Sequence, residues 1–233
     1  MAMPDSVPPP VLTLDGPSGS GKGTIGQLLA ERLGWHFLDS GALYRAVGYL
    51  ARRHGIDPGD AETAADLAVR ADIRFAPQHG ALTGVIANGE QIGPEIRTEE
   101  SGEWASRVAA LPAVRRALLQ KQRDFRQLPG LVADGRDMGT TVFPGAVLKI
   151  FLTASPAMRA QRRYKQLKEK GFDVNLARLV GEIEERDARD AAREASPLMP
   201  ADDACVLDTS NMSIAEVVQH VLALLHERLG QQA

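Results

Sequence analysis

Cysteine is almost missing: Cys205 is the one example in 233 residues. No intrachain disulfide can form, which fits a reducing compartment and excludes a small disulfide-stapled scaffold. Cys205 lies in the apolar run Ala204–Leu207 and reads as packing, not as a nucleophile. Aromatic residues are also scarce, at 5 %. They form no stripe on which bases could stack, so a binder of single-stranded nucleic acid is not indicated. The net charge of −3 argues in the same direction against a polymeric nucleic acid partner. No long hydrophobic run is present; Lys149 interrupts the best one, so no membrane span is expected. The N-terminal stretch Met1–Pro10 has four prolines and no basic-then-apolar leader pattern. It reads as a disordered tail before one domain of a cytoplasmic protein. His36, His54, His79, His220 and His226 are scattered without metal-ligand spacing.

Strand and helix patterns alternate along the remainder. Val11–Asp15, Trp35–Leu38, Leu131–Ala133, Val147–Leu152 and Ala204–Leu207 read as five core strands. Ile25, Leu28, Leu29 and Leu33 share one face of a helix ending near Gly34, and Gly41–His54 is again helical. Thr98–Gln127 reads as a long helical stretch in which Pro112 marks a break or a new first turn. Helices follow from Ser155-Pro156 and over Leu176–Arg193, and Ser213 with Glu216 forms a capping box before the last one. Between Asp72 and Ile92 the period changes. Asp72–Ala76, Ala81–Ala87 and Gln91–Ile92 read as short strands separated by His79-Gly80 and Asn88-Gly89 turns. The fold class expected is α/β: a five-stranded parallel sheet flanked by helices, with a small three-stranded antiparallel insertion. Ligands then bind at the carboxyl ends of the strands, where Asp15, Asp134 and Asp208 gather.

Gly16-Pro17-Ser18-Gly19-Ser20-Gly21-Lys22-Gly23-Thr24 joins the first strand to the first helix. Glycines at these positions let successive backbone N–H groups turn toward phosphate oxygens, and the helix N-terminus adds its positive dipole end. Lys22 supplies a mobile cation for the outer phosphates and Thr24 a hydroxyl for magnesium. The usual pattern has Ser or Thr directly after the lysine; here Gly23 intervenes.

Three further clusters follow strands or lie on helices. Asp39-Ser40-Gly41-Ala42-Leu43-Tyr44-Arg45 sets an arginine one turn into a helix, a place that can hold a phosphate. Its plain alternative has Ser40 capping the helix and Arg45 solvated. Asp134-Gly135-Arg136-Asp137 follows the third strand, with a guanidinium to fork onto phosphate and a carboxylate to accept from a base. Over Glu185–Arg193, residues Arg186, Arg189, Asp190 and Arg193 share a helical face at about 100° per residue. Such a mixed face suits a phosphorylated sugar, or is simply a solvated surface.

These runs together resemble the bacterial cytidylate kinases, P-loop kinases of nucleoside monophosphates. The resemblance covers about Val11 to Leu229 and rests on DGPSGSGKGT (15–24), LDSGALYRA (38–46), PEIRT (94–98), LPGLVADGRDMGTTVFP (128–144), EKGF (169–172) and ERDARD (185–190). It implies a kinase domain over residues 11–229, with a monophosphate-binding insertion at about 67–107 and a helical lid at about 159–172. ATP is implied at Gly16–Thr24, with Arg159, Arg162 and Arg163 of the lid and magnesium at Thr24. A site for CMP or dCMP is implied at Ser40, Arg45, Ser106, Arg115, Arg136, Asp137, Arg186, Asp190 and Arg193. In the family pattern Arg45, Arg136 and Arg193 hold the monophosphate. Arg186 and Asp190 lie by the sugar, and Ser106, Arg115 and Asp137 by the base. Lys22, Arg136, Asp137, Arg186 and Arg193 form the catalytic set.

The activity implied is transfer of the γ-phosphoryl group of ATP to CMP or dCMP by a monomer without a covalent intermediate. Two other readings stay open on the residues alone. One is a kinase for another nucleoside monophosphate or small acceptor. The other is a nucleotide-binding regulatory switch, although no Asn-Lys-x-Asp guanine-reading motif occurs.

Overall fold

A computed structural model of the chain describes residues 8–231 apart from 58, 77–83, 94, 170, 172 and 194. In chain order the elements are β1 (Val11–Asp15), α1 (Lys22–Leu33), β2 (His36–Asp39), α2 (Ser40–Arg53), α3 (Ala61–Arg70), β3 (Ile73–Ala76), β4 (Gly84–Ala87) and β5 (Glu90–Gln91). They continue with α4 (Glu99–Ala109), α5 (Pro112–Arg123), β6 (Leu131–Asp134), β7 (Leu148–Thr153), α6 (Pro156–Glu169), α7 (Leu176–Ala191), β8 (Cys205–Asp208) and α8 (Ile214–Gly230). A 3-10 turn covers Glu95–Arg97 and a π-helical turn Met138–Val142.

The chain divides into two compact units, residues 1–38 with 125–233, and residues 39–124. The first carries the five-stranded parallel sheet, in the order β2-β6-β1-β7-β8. Val11 pairs with Leu131, Leu12 with Leu148, and Ile150 with Cys205. Strands β1 and β6 are buried along their whole length, which is why they read as unbroken apolar runs rather than as alternation. Leu12, Leu14, Val132, Ile150 and Leu152 meet Ile25 and Leu29 of α1 and Val217, Val221 and Leu225 of α8 in one core. Cys205 is half-buried and packs against that core, as its apolar setting suggests. The capping box of α8 forms as expected: Ser213 Oγ accepts from Glu216 N, while Glu216 Oε2 accepts from Ser213 N.

In the second unit β3, β4 and β5 form the antiparallel sheet, with Ile73 opposite Ala87 and Ile86 opposite Gln91. The expected His79-Gly80 turn and the first three residues of the expected middle strand lie outside the described residues. Helix α3 has no counterpart in the sequence reading. Its inward face is made of Ala64 and Ala68, with Ala65 and Leu67 partly buried beside them. The long helical stretch is two helices, and Pro112 opens the first turn of α5, one of the two roles expected of it, where its missing N–H has no intrahelical partner to lose. Helix α2 approaches α4 closely at Gly48, where an added methyl would sit 3.1 Å from Trp104 Cβ. The insertion expected at 67–107 lies inside this larger unit.

Of the N-terminal tail, residues 1–7 lie outside the described ones. Pro9 and Pro10 are tied down: their carbonyls accept from Arg126 Nε at 2.7 Å and Leu131 N at 3.0 Å. Among the described residues no helix is long and apolar enough to cross a membrane.

Candidate functional site

The loop from β1 to α1 is shaped by three glycines at positive φ, Gly16 at 140°, Gly19 at 78° and Gly21 at 97°. Gly16 is the most constrained. A side chain there would begin 2.0 Å from the Leu152 carbonyl oxygen of the neighbouring strand, so backbone alone fits. Gly21 stands at the N-cap of α1 and offers no side-chain acceptor, and the first turn holds no acidic residue. The leading N–H groups of the helix therefore face whatever anion enters. Thr24, in that first turn, is exposed.

Lys22 is the charged centre of the loop. Only 5 % exposed, it donates from Nζ to the Pro17 carbonyl at 2.7 Å and to Ser20 Oγ at 3.3 Å. Burial, helped by the field of Arg136, pushes its pKa down to about 7, against the opposing pull of Asp134 and Asp15. Arg186 adds to the cationic field at Lys22. The structure thus brings together within the first unit Lys22 of the loop, Arg136 after β6 and Arg186 of α7.

A second knot joins Arg136 to α7. Asp190 is buried and accepts from Arg136 Nε at 3.0 Å and from Arg193 Nη2. Burial alone would raise the Asp190 carboxyl; the guanidiniums of Arg136, Arg193 and Arg186 outweigh it and hold the carboxyl below the ordinary value. Arg193 was expected on the helix, but α7 ends at Ala191 and Arg193 reaches back from beyond it. Arg189 does not join the knot; it is exposed, 3.9 Å from Glu185.

Asp137 is 3 % exposed. Its carbonyl accepts from Thr141 N and Val142 N as the π-helical turn begins. That turn is held by Asp15, whose two oxygens accept from Met138 N at 2.9 Å and Gly139 N at 2.8 Å. Burial nonetheless pushes the Asp15 carboxyl up to about 6, against those two bonds. Of the three carboxylates expected at the ligand edge, Asp15 is occupied in this bracing and Asp208 binds Ser210. Asp134 lies beside the loop, its Oδ2 3.5 Å from where a Gly23 side chain would begin.

The three arginines expected in a lid stand on α6. Arg159 and Arg162 of α6 donate to the Ser18 and Ser20 carbonyls of the loop, at 3.0 and 3.4 Å. Arg162 also reaches the Thr209 carbonyl at 2.5 Å, and Arg163 is half-buried. Thr209 and Asp187, which pairs with Arg159, went unread; Asp187 stands inside the ERDARD run, hidden among charges that look interchangeable in sequence. A cavity of about 450 Å³ opens here, lined by Pro17, Phe151, Thr153, Arg159, Asp187 and Leu198 among others.

Ser40, Arg45, Ser106 and Arg115 belong to the second unit. The plain capping alternative is corrected in one respect: Asp39, not Ser40, caps α2, accepting from Ala42 N at 2.9 Å, and Ser40 is buried just inside the helix. Arg45 is half-buried and donates to the Ile96 carbonyl at 3.2 Å, so it is not simply solvated. Arg115 donates to the Ala109 carbonyl and lies 5.7 Å from the centre of the Tyr44 ring. Ser106 is half-buried on α4.

The chain is 57 % identical over 222 residues to a cytidylate kinase of Stutzerimonas stutzeri, covering 95 % of this chain and 97 % of that one. It is 56 % identical to a cytidylate kinase of Serratia proteamaculans over 95 % of this chain and 96 % of the other. A gluconokinase structure from Sinorhizobium meliloti aligns at 18 % identity and a TM-score of 0.47, over 97 % of this chain and 98 % of that one. The description of the cytidylate kinase family matches residues 12–227, from the first core strand into the last helix, and on that match the chain belongs to the cytidylate kinase family.

Proposed function

We propose that the chain phosphorylates CMP and dCMP with ATP by direct in-line transfer, with the residue roles that follow. The chemistry needs no activated Ser or Cys, because the acceptor phosphate is already an anionic nucleophile. The obstacle is repulsion between two polyanions, and the protein's task is to neutralise it. The observation that carries the reading is the clustering of Lys22, Arg136 and Arg186 beside the phosphate loop, with Arg193 tied to Arg136 through Asp190. In this reading the loop N–H groups and Lys22 hold the β and γ phosphates of ATP. Arg136 and Arg193 hold the acceptor phosphate, a role that the family pattern also gives Arg45, and Arg186 lies by the sugar. Asp190 keeps Arg136 and Arg193 in fixed orientation. Ser40, Ser106 and Arg115 complete acceptor recognition. Thr24 and Asp134 are suited to magnesium: one is an exposed hydroxyl on the first helical turn, the other a carboxylate beside Gly23. Bound there, the ion would supply charge neutralisation on the phosphates. The enzyme is read as a monomer working in the cytoplasm.

A coupled assay of ADP release with CMP, dCMP, UMP and AMP tests the whole. CMP and dCMP should be the best acceptors; equal use of AMP would overturn the substrate assignment.

Base choice rests on Asp137. Cytosine offers an amino donor where uracil offers a carbonyl acceptor, and a carboxylate accepts from the first and repels the second. Asp137→Asn, which can donate as well as accept, is therefore expected to narrow the ratio of kcat/KM for CMP over UMP by about tenfold or more. An unchanged ratio would remove Asp137 from base recognition.

Nucleotide binding should also take up a proton. Free Lys22 has its pKa pushed down to about 7, and the phosphates of ATP favour its charged form. Above about pH 7 binding should take up a fraction of a proton that grows with pH, and the uptake should fall toward zero below it. Calorimetry in buffers of different ionisation enthalpy reads this directly. The uptake should vanish in Lys22→Met; uptake persisting in that variant would place the titrating group elsewhere.

A further inference from the structure

Two arginines of α6 grip the outer side of the phosphate loop, and one of them is itself held. Arg159 is 2 % exposed, and its donors are engaged on three sides. Nε donates to the Ala154 carbonyl at 2.9 Å. Nη1 donates to the Ser18 carbonyl at 3.0 Å and to Asp187 Oδ1 at 3.1 Å, and Nη2 to Asp187 Oδ2 at 2.5 Å. The two parallel bonds to Asp187 fix the plane of the guanidinium as well as its position. With that plane fixed, one N–H is aimed at Ser18.

The consequence reaches the ligand side of the loop through the peptide bond. In a trans peptide the carbonyl of one residue and the N–H of the next point in opposite directions. A Ser18 carbonyl drawn toward Arg159 therefore turns the Gly19 N–H away from α6. Gly19, at φ 78°, is free to take that orientation, and a methyl there would already press on Arg159 Cβ at 3.2 Å. A cation on the carbonyl also polarises the peptide, which makes its N–H a stronger donor. Lys22 treats the Pro17 carbonyl in the same manner.

We propose that Asp187 is a positioning residue for ATP: by fixing Arg159, it holds the Ser18–Gly19 peptide with its N–H presented to the nucleotide phosphates. This rests on the reading of Gly16–Thr24 as the ATP loop. Asp187 itself touches no substrate; it acts through Arg159. Its position differs in kind from that of Asp190, three residues on, which ties the arginines assigned to the acceptor.

The test is steady-state kinetics with ATP and CMP varied separately, on Asp187→Ala, Asp187→Asn, Arg159→Met and the double variant Arg159→Met with Asp187→Ala. In Asp187→Ala the KM for ATP should rise by about tenfold to a hundredfold, since a charge-assisted contact loses its geometry. The KM for CMP should stay within about twofold, because no contact to the acceptor is assigned to the pair. Asp187→Asn keeps one acceptor and nearly the same shape, so it should move the ATP value in the same direction by less. It carries the prediction if the alanine variant does not fold. The double variant should match Arg159→Met within about twofold, as expected of two residues acting in series. An ATP KM unchanged in Asp187→Ala and Asp187→Asn overturns the proposal, as does a parallel rise for ATP and CMP, which marks a purely structural pair. A double variant clearly worse than Arg159→Met overturns it too. Failure of the underlying functional reading is seen separately, in the parent enzyme, as absent transfer from ATP to CMP.

Discussion

Lys22→Ala is expected to lower transfer from ATP to CMP by at least about a thousandfold, because a preorganised cation in a water-poor site offsets charge that grows in the transition state. The loop itself holds the side chain in place, with Nζ bonded to the Pro17 carbonyl and to Ser20 Oγ. Little reorganisation is then needed at the moment of reaction. The fold should survive. Burial lowers the Lys22 pKa from 10.5 to about 7, so the unfolded chain binds the proton more readily over that interval. Charged Lys22 thus weighs against folding at pH 7, a burden that lightens as the pH rises toward 10.5, and alanine removes it. Single-turnover transfer together with thermal unfolding reads both halves. Turnover within about tenfold of the parent would sink the assignment of Lys22 to the transferred phosphate.

The second large effect is at Asp190. Its carboxylate is shared by Arg136 and Arg193, and its side chain is only 2 % exposed. Asp190→Ala removes the carboxylate that the two half-buried guanidiniums share, a change that costs about 3–5 kcal/mol in buried pairs. Because both arginines are also assigned to the acceptor phosphate, kcat/KM for CMP should fall by about a hundredfold or more. The sign of the pH effect follows from the lowered carboxyl. The stabilisation is fully present above the ordinary Asp value of 3.8 and is lost as the pH falls through the depressed one. Urea unfolding of parent and Asp190→Asn should therefore converge in acid and diverge toward neutrality. Equal stability of the two at pH 7, with unchanged use of CMP, would show that the knot has no such role.

Much of this was legible before the structure. Buried parallel strands carry apolar runs, so β1 and β6 announce themselves, as does β7 despite Lys149, and the glycine spacing between β1 and α1 has few uses other than phosphate binding. Pro112 and the Ser213–Glu216 pair mark helix starts by local chemistry that tertiary structure has no reason to override. What stayed hidden depended on direction or on weak contrast. The π-helical turn at Met138–Val142 is set by Asp15, more than a hundred residues away in the chain. Asp39 and Ser40 are both good caps, and only the backbone angles separate them. Arg159 and Arg162 look in sequence like phosphate ligands; that they donate to carbonyls of the loop is a matter of which helix face meets it.

The tight passage at Gly16 ties the loop's chemistry to the sheet's mechanics. Strand β7, whose Leu152 oxygen leaves no space there, is also the partner of both β1 and β8. A single extra methyl on the loop would thus act as a wedge, and the strain would travel outward across the sheet to the Cys205–Asp208 edge rather than remain where it was introduced.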